Sequence, residues 1–176
     1  MSNLLRYIIR LAILILIQVF VLNNIPPLHQ HFTPVIYYVF ILWLPFSMGR
    51  SGLLIVSFLT GLTLDFFTKT PGMHAAACVL IGYLRPFLIN ILMPLQGSEF
   101  NYREPSAISL SVVPYVTYVV VLTLFHHTAV AIIQSFQFGN IGYLLLKTAG
   151  TSVISFFLIA VIEIIFTRKQ KFITNT

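Results

Sequence analysis

The sequence predicts an all-α integral membrane protein, a single six-helix transmembrane bundle over residues 1–176, and three observations predict it. Hydrophobic residues make up 58% of the chain and charged residues only 8%, with a mean hydropathy of +0.95. A soluble domain needs about 25% charged residues to cover its surface. Second, the apolar residues fall into runs close to the roughly 20 residues that a helix needs to cross the hydrocarbon core. They cover about 5–22, 34–48, 51–67, 74–93, 107–126 and 141–166. Third, the basic residues gather at the ends of these runs, where they set orientation in the membrane.

Each element has its own justification. The first run follows Arg6 and Arg10 as a signal peptide would, but no A-x-A-like site follows it, so it is expected to remain as an uncleaved first helix. The runs 34–48 and 51–67 are short and joined only by Ser47–Arg50, which allows a tight hairpin of two spans or a shallow re-entrant pair. Two spans is the reading adopted. Turn-forming residues separate the runs: Asn23-Asn24-Ile25-Pro26-Pro27, Pro34, Pro45–Gly52, Lys69-Thr70-Pro71-Gly72, Pro94–Pro105 and Gly139–Gly142. The longest polar stretch, Gln96–Ser106, is too short for a second domain.

With the N-terminus in the cytoplasm, Arg6, Arg10, Arg50, Arg103, Arg168, Lys169 and Lys171 lie inside and only Lys69 and Lys147 outside. Both termini are therefore expected to be cytoplasmic, and the outer loops near Asn23–Thr33 and His126–Asn140 carry no fixed charge. The net charge of +6 is accounted for by this placement, so nucleic acid is not an expected partner. Cys78 is the single cysteine and sits in an apolar run, which leaves no disulfide framework.

The segment Gly61–Leu88 holds the chain's one aspartate, Asp65, and a mid-helix arginine, Arg85. Ionised groups at bilayer depth cost roughly 2.5 kcal/mol or more, so each needs a partner, a wet cavity or a route to the interface. Asp65 and Lys69 are four apart, the spacing of an i, i+4 ion pair. Alternatively, Asp65 caps the Pro71-Gly72 turn and the start of the fourth helix, holding two helices in register. Arg85 lies roughly 17 Å down the fourth helix at 1.5 Å per residue, too deep to be Asp65's default partner. It either snorkels toward the inner face, helped by Pro86, or lines a polar seam that reaches a head group or Glu163.

Small residues mark close helix approach: Ser57 with Gly61, Ala75 and Cys78 with Gly82, and Thr148, Ser152 and Ser155. Gly61 and Gly82 are the candidate docking positions, with internal packing as the alternative. His126 and His127 are adjacent and cannot chelate as an i, i+4 pair; with His29, His31 and His74 they read as interfacial polar residues, and no metal site is expected. One aspartate cannot serve aspartyl proteolysis, and neither H-E-x-x-H nor G-x-S-x-G occurs. No catalytic residues and no cofactor are expected, and two intramembrane acids, Asp65 and Glu163, are too few for an ion pump.

The chain resembles the MreD family of bacterial rod shape-determining proteins. The resemblance rests on Ile17–Ile25 (IQVFVLNNI), on G-L-x-x-D at Gly61–Asp65, on Pro71–Leu88 (PGMHAAACVLIGYLRPFL) and on the basic tail after Phe166. It implies a non-enzymatic inner-membrane scaffold of the cell-elongation machinery, one that binds the bitopic scaffold MreC. Through it the chain would couple cytoplasmic MreB filaments to the peptidoglycan synthases, RodA and a penicillin-binding transpeptidase. On the reading of the residues themselves, Asp65, Lys69, Pro71, Gly72, Arg85, Gly61 and Gly82 are the structural or partner-facing candidates. The family is also similar in fold to the six-helix substrate-binding subunits of vitamin importers, which supplies a rival: a small-molecule-binding subunit of an energy-coupled importer. The A-x-x-x-A coupling pattern of those subunits is absent from the first run, where Ala12 is followed by Leu16.

Overall fold

A computed structural model describes residues 3–25, 33–92, 103–134 and 141–165. Among the described residues, five helices are long and apolar enough to cross a membrane, and a sixth is short. The first, α1 (Asn3–Leu16), continues through a π-helical turn at Ile17–Val21 and a 3₁₀ turn at Leu22–Asn24. Then come α2 (Val39–Leu42), α3 (Arg50–Thr68), α4 (Met73–Leu92), α5 (Val112–Gln134) and α6 (Ile141–Ile165). Helix α3 packs on α4, α4 on α5 and α5 on α6. The chain is an all-α, multi-pass membrane protein.

The distribution of polarity is that of a bundle in lipid. Leu4, Phe66, Ile91, Val113 and Ile164 point outward and are exposed, while Ser57, Thr60, Asp65, Arg85, Thr123, His126 and Ser155 are buried. Polar groups are inside because no water is available on the lipid side to satisfy them. The bundle has two distinct ends. Arg10, Arg50 and Arg103 mark one, here the arginine end, where Arg10 pairs with Glu104 and Arg50 lies over the Phe87 ring. Lys69 and Lys147 mark the other, the lysine end, where α3 turns into α4 and α5 faces the start of α6.

Two of the expected spans need correction. Residues 34–48 do not form a spanning helix, and only Val39–Leu42 is α-helical. The segment nonetheless traverses the bundle, from Pro34 beside Gln18 to Phe46, whose N–H donates to the Arg103 carbonyl. Its helical bonds are largely of the tighter i→i+3 kind, from Val39 to Ile36, Phe40 to Tyr37 and Ile41 to Tyr38. That geometry rises about 2.0 Å per residue and so covers more depth with fewer residues than an α-helix. Every residue from Ile36 to Pro45 is buried. Irregular backbone at membrane depth survives only inside protein, and here the surrounding helices enclose it.

The fifth span is also displaced, to Val112–Gln134 rather than 107–126. Residues 104–110 are instead held in a turn in which Ser106 and Ser109 bond each other and the main chain. Ser111 then takes a positive φ of 71° before the helix begins. As a result His126 and His127 are not interfacial: both lie within α5 and are buried. The histidines expected at His29 and His31, the loop at 135–140 and the basic tail after Phe166 lie outside the described residues.

Candidate functional site

The α3–α4 joint is built around Asp65. Helix α3 ends with Lys69 in the left-handed region (φ 56°, ψ 38°), its N–H on the Asp65 carbonyl, and Gly72 at φ 83° completes the turn into α4. That turn brings the first amides of α4 over the Asp65 carboxylate. Oδ1 accepts from the His74 N–H and the Thr70 hydroxyl, each at 3.0 Å, and Oδ2 accepts from the Ala75 N–H at 3.0 Å. A carboxylate at a helix N-terminus satisfies amides that have no intrahelical partner and complements the positive end of the dipole. The capping alternative therefore describes Asp65, and the i, i+4 pair does not: the carboxylate goes to backbone amides while Lys69 closes α3.

Gly61 and Gly82 make this joint tight. A β-carbon on Gly61 would stand 2.5 Å from the Ala75 Cα and from the His74 carbonyl oxygen. One on Gly82 would run into the Ser57 hydroxyl and stand 3.0 Å from the Ser57 Cβ. Both glycines are used between α3 and α4, the internal-packing alternative.

Arg85 neither snorkels nor reaches Glu163. It is 2% exposed, its Nε donates to the Tyr118 hydroxyl at 3.0 Å, and its Nη2 donates to the Leu44 carbonyl. The Tyr118 hydroxyl in turn donates to the Leu42 carbonyl at 3.0 Å. Arg85 and Tyr118 thus satisfy the carbonyls left open where the 34–48 segment ceases to be helical. At the segment's other end Gln18 does the equivalent: Nε2 donates to the Pro34 carbonyl at 3.1 Å and Oε1 accepts from the Ile36 N–H at 2.8 Å. Ser155 Oγ accepts from the intervening Val35 N–H at 3.1 Å. The π-helical turn of α1 contains Gln18 and delivers it, buried, to this contact. The signal that the sequence offers for it is a single glutamine standing in an otherwise apolar run.

Between these two anchors lies a polar knot. The Tyr37 hydroxyl is 3.0 Å from His74 Nδ1 and 2.8 Å from His126 Nε2, and it accepts from Cys78 Sγ at 3.6 Å. Tyr38 stacks on His126 with ring centroids 4.3 Å apart and bonds the Thr123 hydroxyl at 3.0 Å. Tyr37 has one proton to donate, so at least one of the two imidazoles must carry its own proton on the nitrogen that faces it. The tautomers of two helices are thereby coupled through a residue of the threaded segment.

The knot borders a cavity of about 270 Å³ at the lysine end. Its wall includes His74, His126, His127, Lys147, Thr148 and Thr151. Four buried atoms of these residues have no hydrogen-bond partner: His126 Nδ1, His127 Nε2, Thr148 Oγ1 and Thr151 Oγ1. Among the described residues no group of histidine, cysteine and acidic side chains is arranged to hold a metal ion. At the arginine end the Glu104 carboxylate accepts from Arg10 at 2.8 and 2.9 Å and from the Tyr7 hydroxyl at 3.0 Å, tying α1 to the turn before α5.

The fold and these contacts define an all-α, multi-pass membrane protein in which Asp65 and Arg85 are bonded within the bundle. No protein-family model, no curated protein and no solved structure matches the chain.

Proposed function

We propose that this protein is an MreD-like, non-enzymatic membrane scaffold of the bacterial cell-elongation machinery. It would bind an MreC-like bitopic partner and, through it, couple MreB filaments to RodA and a penicillin-binding transpeptidase. One observation carries the reading: the residues on which the family resemblance rests are consumed in holding the bundle together. Asp65 is spent on the first amides of α4, Arg85 on the threaded segment, and Gly61 and Gly82 on the α3–α4 approach. A signature devoted to rigidity suits a subunit that presents a fixed shape to its neighbours.

With both glycines internal, the docking surface moves to exposed apolar helix faces. The candidate is α1 with its π-helical continuation, whose Ile8, Ile13, Ile17 and Phe20 are exposed and whose span is the least buried of the five. Affinity purification of the full chain in mild detergent tests the proposal. The expected result is recovery of a bitopic membrane protein with a large domain at the lysine end, reduced when Ile13 and Ile17 are replaced by bulky tryptophans. Recovery of a nucleotide-hydrolysing module in its place would favour the importer-subunit reading and overturn this one.

A further inference from the structure

The ion pair at the arginine end leaves part of its guanidinium unused. Both bonds to the Glu104 carboxylate come from Arg10 Nη1, at 2.9 and 2.8 Å, whereas a guanidinium spreads its N–H donors over all of its nitrogens. Among the described residues, Nε and Nη2 of Arg10 meet no acceptor. Arg103 gathers at the same place: its guanidinium carbon is 6.0 Å from the centroid of the Tyr7 ring, and that of Arg10 is 5.9 Å from it. No carboxylate among the described residues pairs with Arg103. Arg6 stands one turn before Arg10 on the same face of α1. Arg6, Arg10 and Arg103 thus surround Glu104, and the local excess of charge is positive.

Arg10 also heads an apolar furrow. Ile13, Leu14 and Ile17 continue its stripe along α1, Ile162 of α6 lines the furrow with them, and the buried Trp43 of the threaded segment completes the lining. Arg10 is the charged side chain of this wall, and Glu163, next to Ile162 along α6, does not line it. At about 40 Å³ the furrow is far smaller than the roughly 300–1,000 Å³ of small-molecule pockets. It suits a chain laid along it and not an enclosed ligand. From Arg10 to Ile17 the stripe runs about 10 Å into the bilayer at 1.5 Å per residue. An anionic head at the arginines with a hydrocarbon tail below is the chemistry of a phospholipid. A free phosphate would meet the arginines and leave the furrow unfilled.

We propose that an anionic phospholipid binds at the arginine end, its phosphate on the unused edge of Arg10 with Arg6 and Arg103 beside it, and one acyl chain between α1 and α6. Phosphate oxygens accept the charge-assisted bonds that a guanidinium edge offers. A head group of net negative charge is preferred to a zwitterionic one because the excess charge beside it is positive. The inference rests on this geometry and on neither functional reading. The furrow borders the α1 face assigned to the bitopic partner, so the lipid fills the flank toward α6 and leaves the remainder of that face to the partner.

Native mass spectrometry of the full chain in a neutral maltoside detergent, with equal amounts of phosphatidylglycerol and phosphatidylcholine carrying the same acyl chains, tests it. The phosphatidylglycerol adduct should dominate, and that lipid should raise Tm more than phosphatidylcholine does. An arginine near an anionic head group is worth about fivefold in affinity. Arg6→Gln and Arg103→Gln, which leave the Arg10–Glu104 pair in place, should therefore each lower the preference by about that factor. Ile162→Trp should obstruct the furrow and weaken binding of the lipid. Where that variant lowers the lipid-free Tm, the parent chain decides instead, by competition with glycerol phosphate, which should not displace the lipid at equal concentration. Equal binding of the two lipids would overturn the anionic assignment. Displacement by glycerol phosphate, or lipid binding unmoved by Ile162→Trp in a stably folded variant, would mean that the arginines attract a head group without the furrow, and would overturn the site.

Discussion

The Asp65 carboxylate accepts the Ala75 amide proton at 3.0 Å, and the Cα of that same Ala75 lies 2.5 Å from where a β-carbon on Gly61 would stand. One turn of α3 therefore supplies both the bond and the room for it. The capping bond fixes the height of α4 along α3, and the glycine fixes how closely the two axes approach. Neither feature works without the other, because a larger residue at 61 would carry the amides of α4 out of reach of the carboxylate.

Asp65→Asn should destabilise the bundle without altering any chemical turnover. Both carboxylate oxygens face N–H donors, so the amide nitrogen of asparagine must confront one of them, leaving a buried donor unsatisfied. The expected loss is about 1–3 kcal/mol, read as a lower midpoint of thermal unfolding in detergent and lower abundance in the membrane. Unchanged stability would remove Asp65 from the architecture.

The two glycines should respond differently to alanine. At Gly61 the obstruction is backbone, the Ala75 Cα and the His74 carbonyl, and neither can move without shifting α4. At Gly82 it is the side chain of Ser57. Gly61→Ala is expected to cost about 3 kcal/mol or more, at or above the upper end of ordinary overpacking, with no rescue from neighbouring side-chain changes. Gly82→Ala should cost less and be largely relieved by Ser57→Gly, a coupling that a double-mutant cycle of unfolding free energies would measure.

Much of this arrangement is legible in the sequence, for identifiable reasons. The long helices are announced by uninterrupted apolar length, and the cap by an aspartate placed six residues before a Pro-Gly turn. What the sequence conceals is the threaded segment. Its run over 34–48 is as apolar as a helix because it is buried on all sides, and composition does not distinguish a protein-enclosed coil from a lipid-facing helix. The partners that make it possible, Gln18, Tyr118 and Ser155, sit singly in three different helices and share no spacing. His126 and His127 were obscured similarly: two adjacent polar residues mark an interface in an apolar run unless the fold brings a tyrosine from elsewhere to receive them.

Topology follows from the threading. Because the 34–48 segment passes from the lysine end at Pro34 to the arginine end at Phe46, it counts as a crossing although it is too short to be a spanning helix. Together with the five long helices this makes an even number of passages among the described residues. A reporter fused after Thr176 and one fused before Met1 should therefore be active on the same side of the membrane, and charge asymmetry predicts the cytoplasmic side. Reporters on opposite sides would mean that the segment turns back on itself.

The two anchors of the threaded segment provide the most discriminating test of the fold. Arg85→Gln should strand the Leu44 carbonyl and remove the donor to the Tyr118 hydroxyl, which keeps its bond to Leu42, at the arginine end, while Gln18→Leu should strand the Pro34 carbonyl and the Ile36 amide at the other. Each is expected to lower stability by about 1–3 kcal/mol for each buried group left unsatisfied. Tyr118→Phe removes a hydroxyl that both accepts from Arg85 and donates to Leu42, so its effect should be strongly coupled to that of Arg85→Gln and not to that of Gln18→Leu. Sites that share a bond show interaction energies of roughly 0.5–3 kcal/mol, whereas sites without shared partners add within about 0.5 kcal/mol. A double-mutant cycle of thermal unfolding free energies checks both halves of the statement. Additivity of Arg85→Gln with Tyr118→Phe would show that they do not act on the segment as a unit. Strong coupling of Gln18→Leu to Arg85→Gln would show instead that the segment is released as one piece when either end is cut.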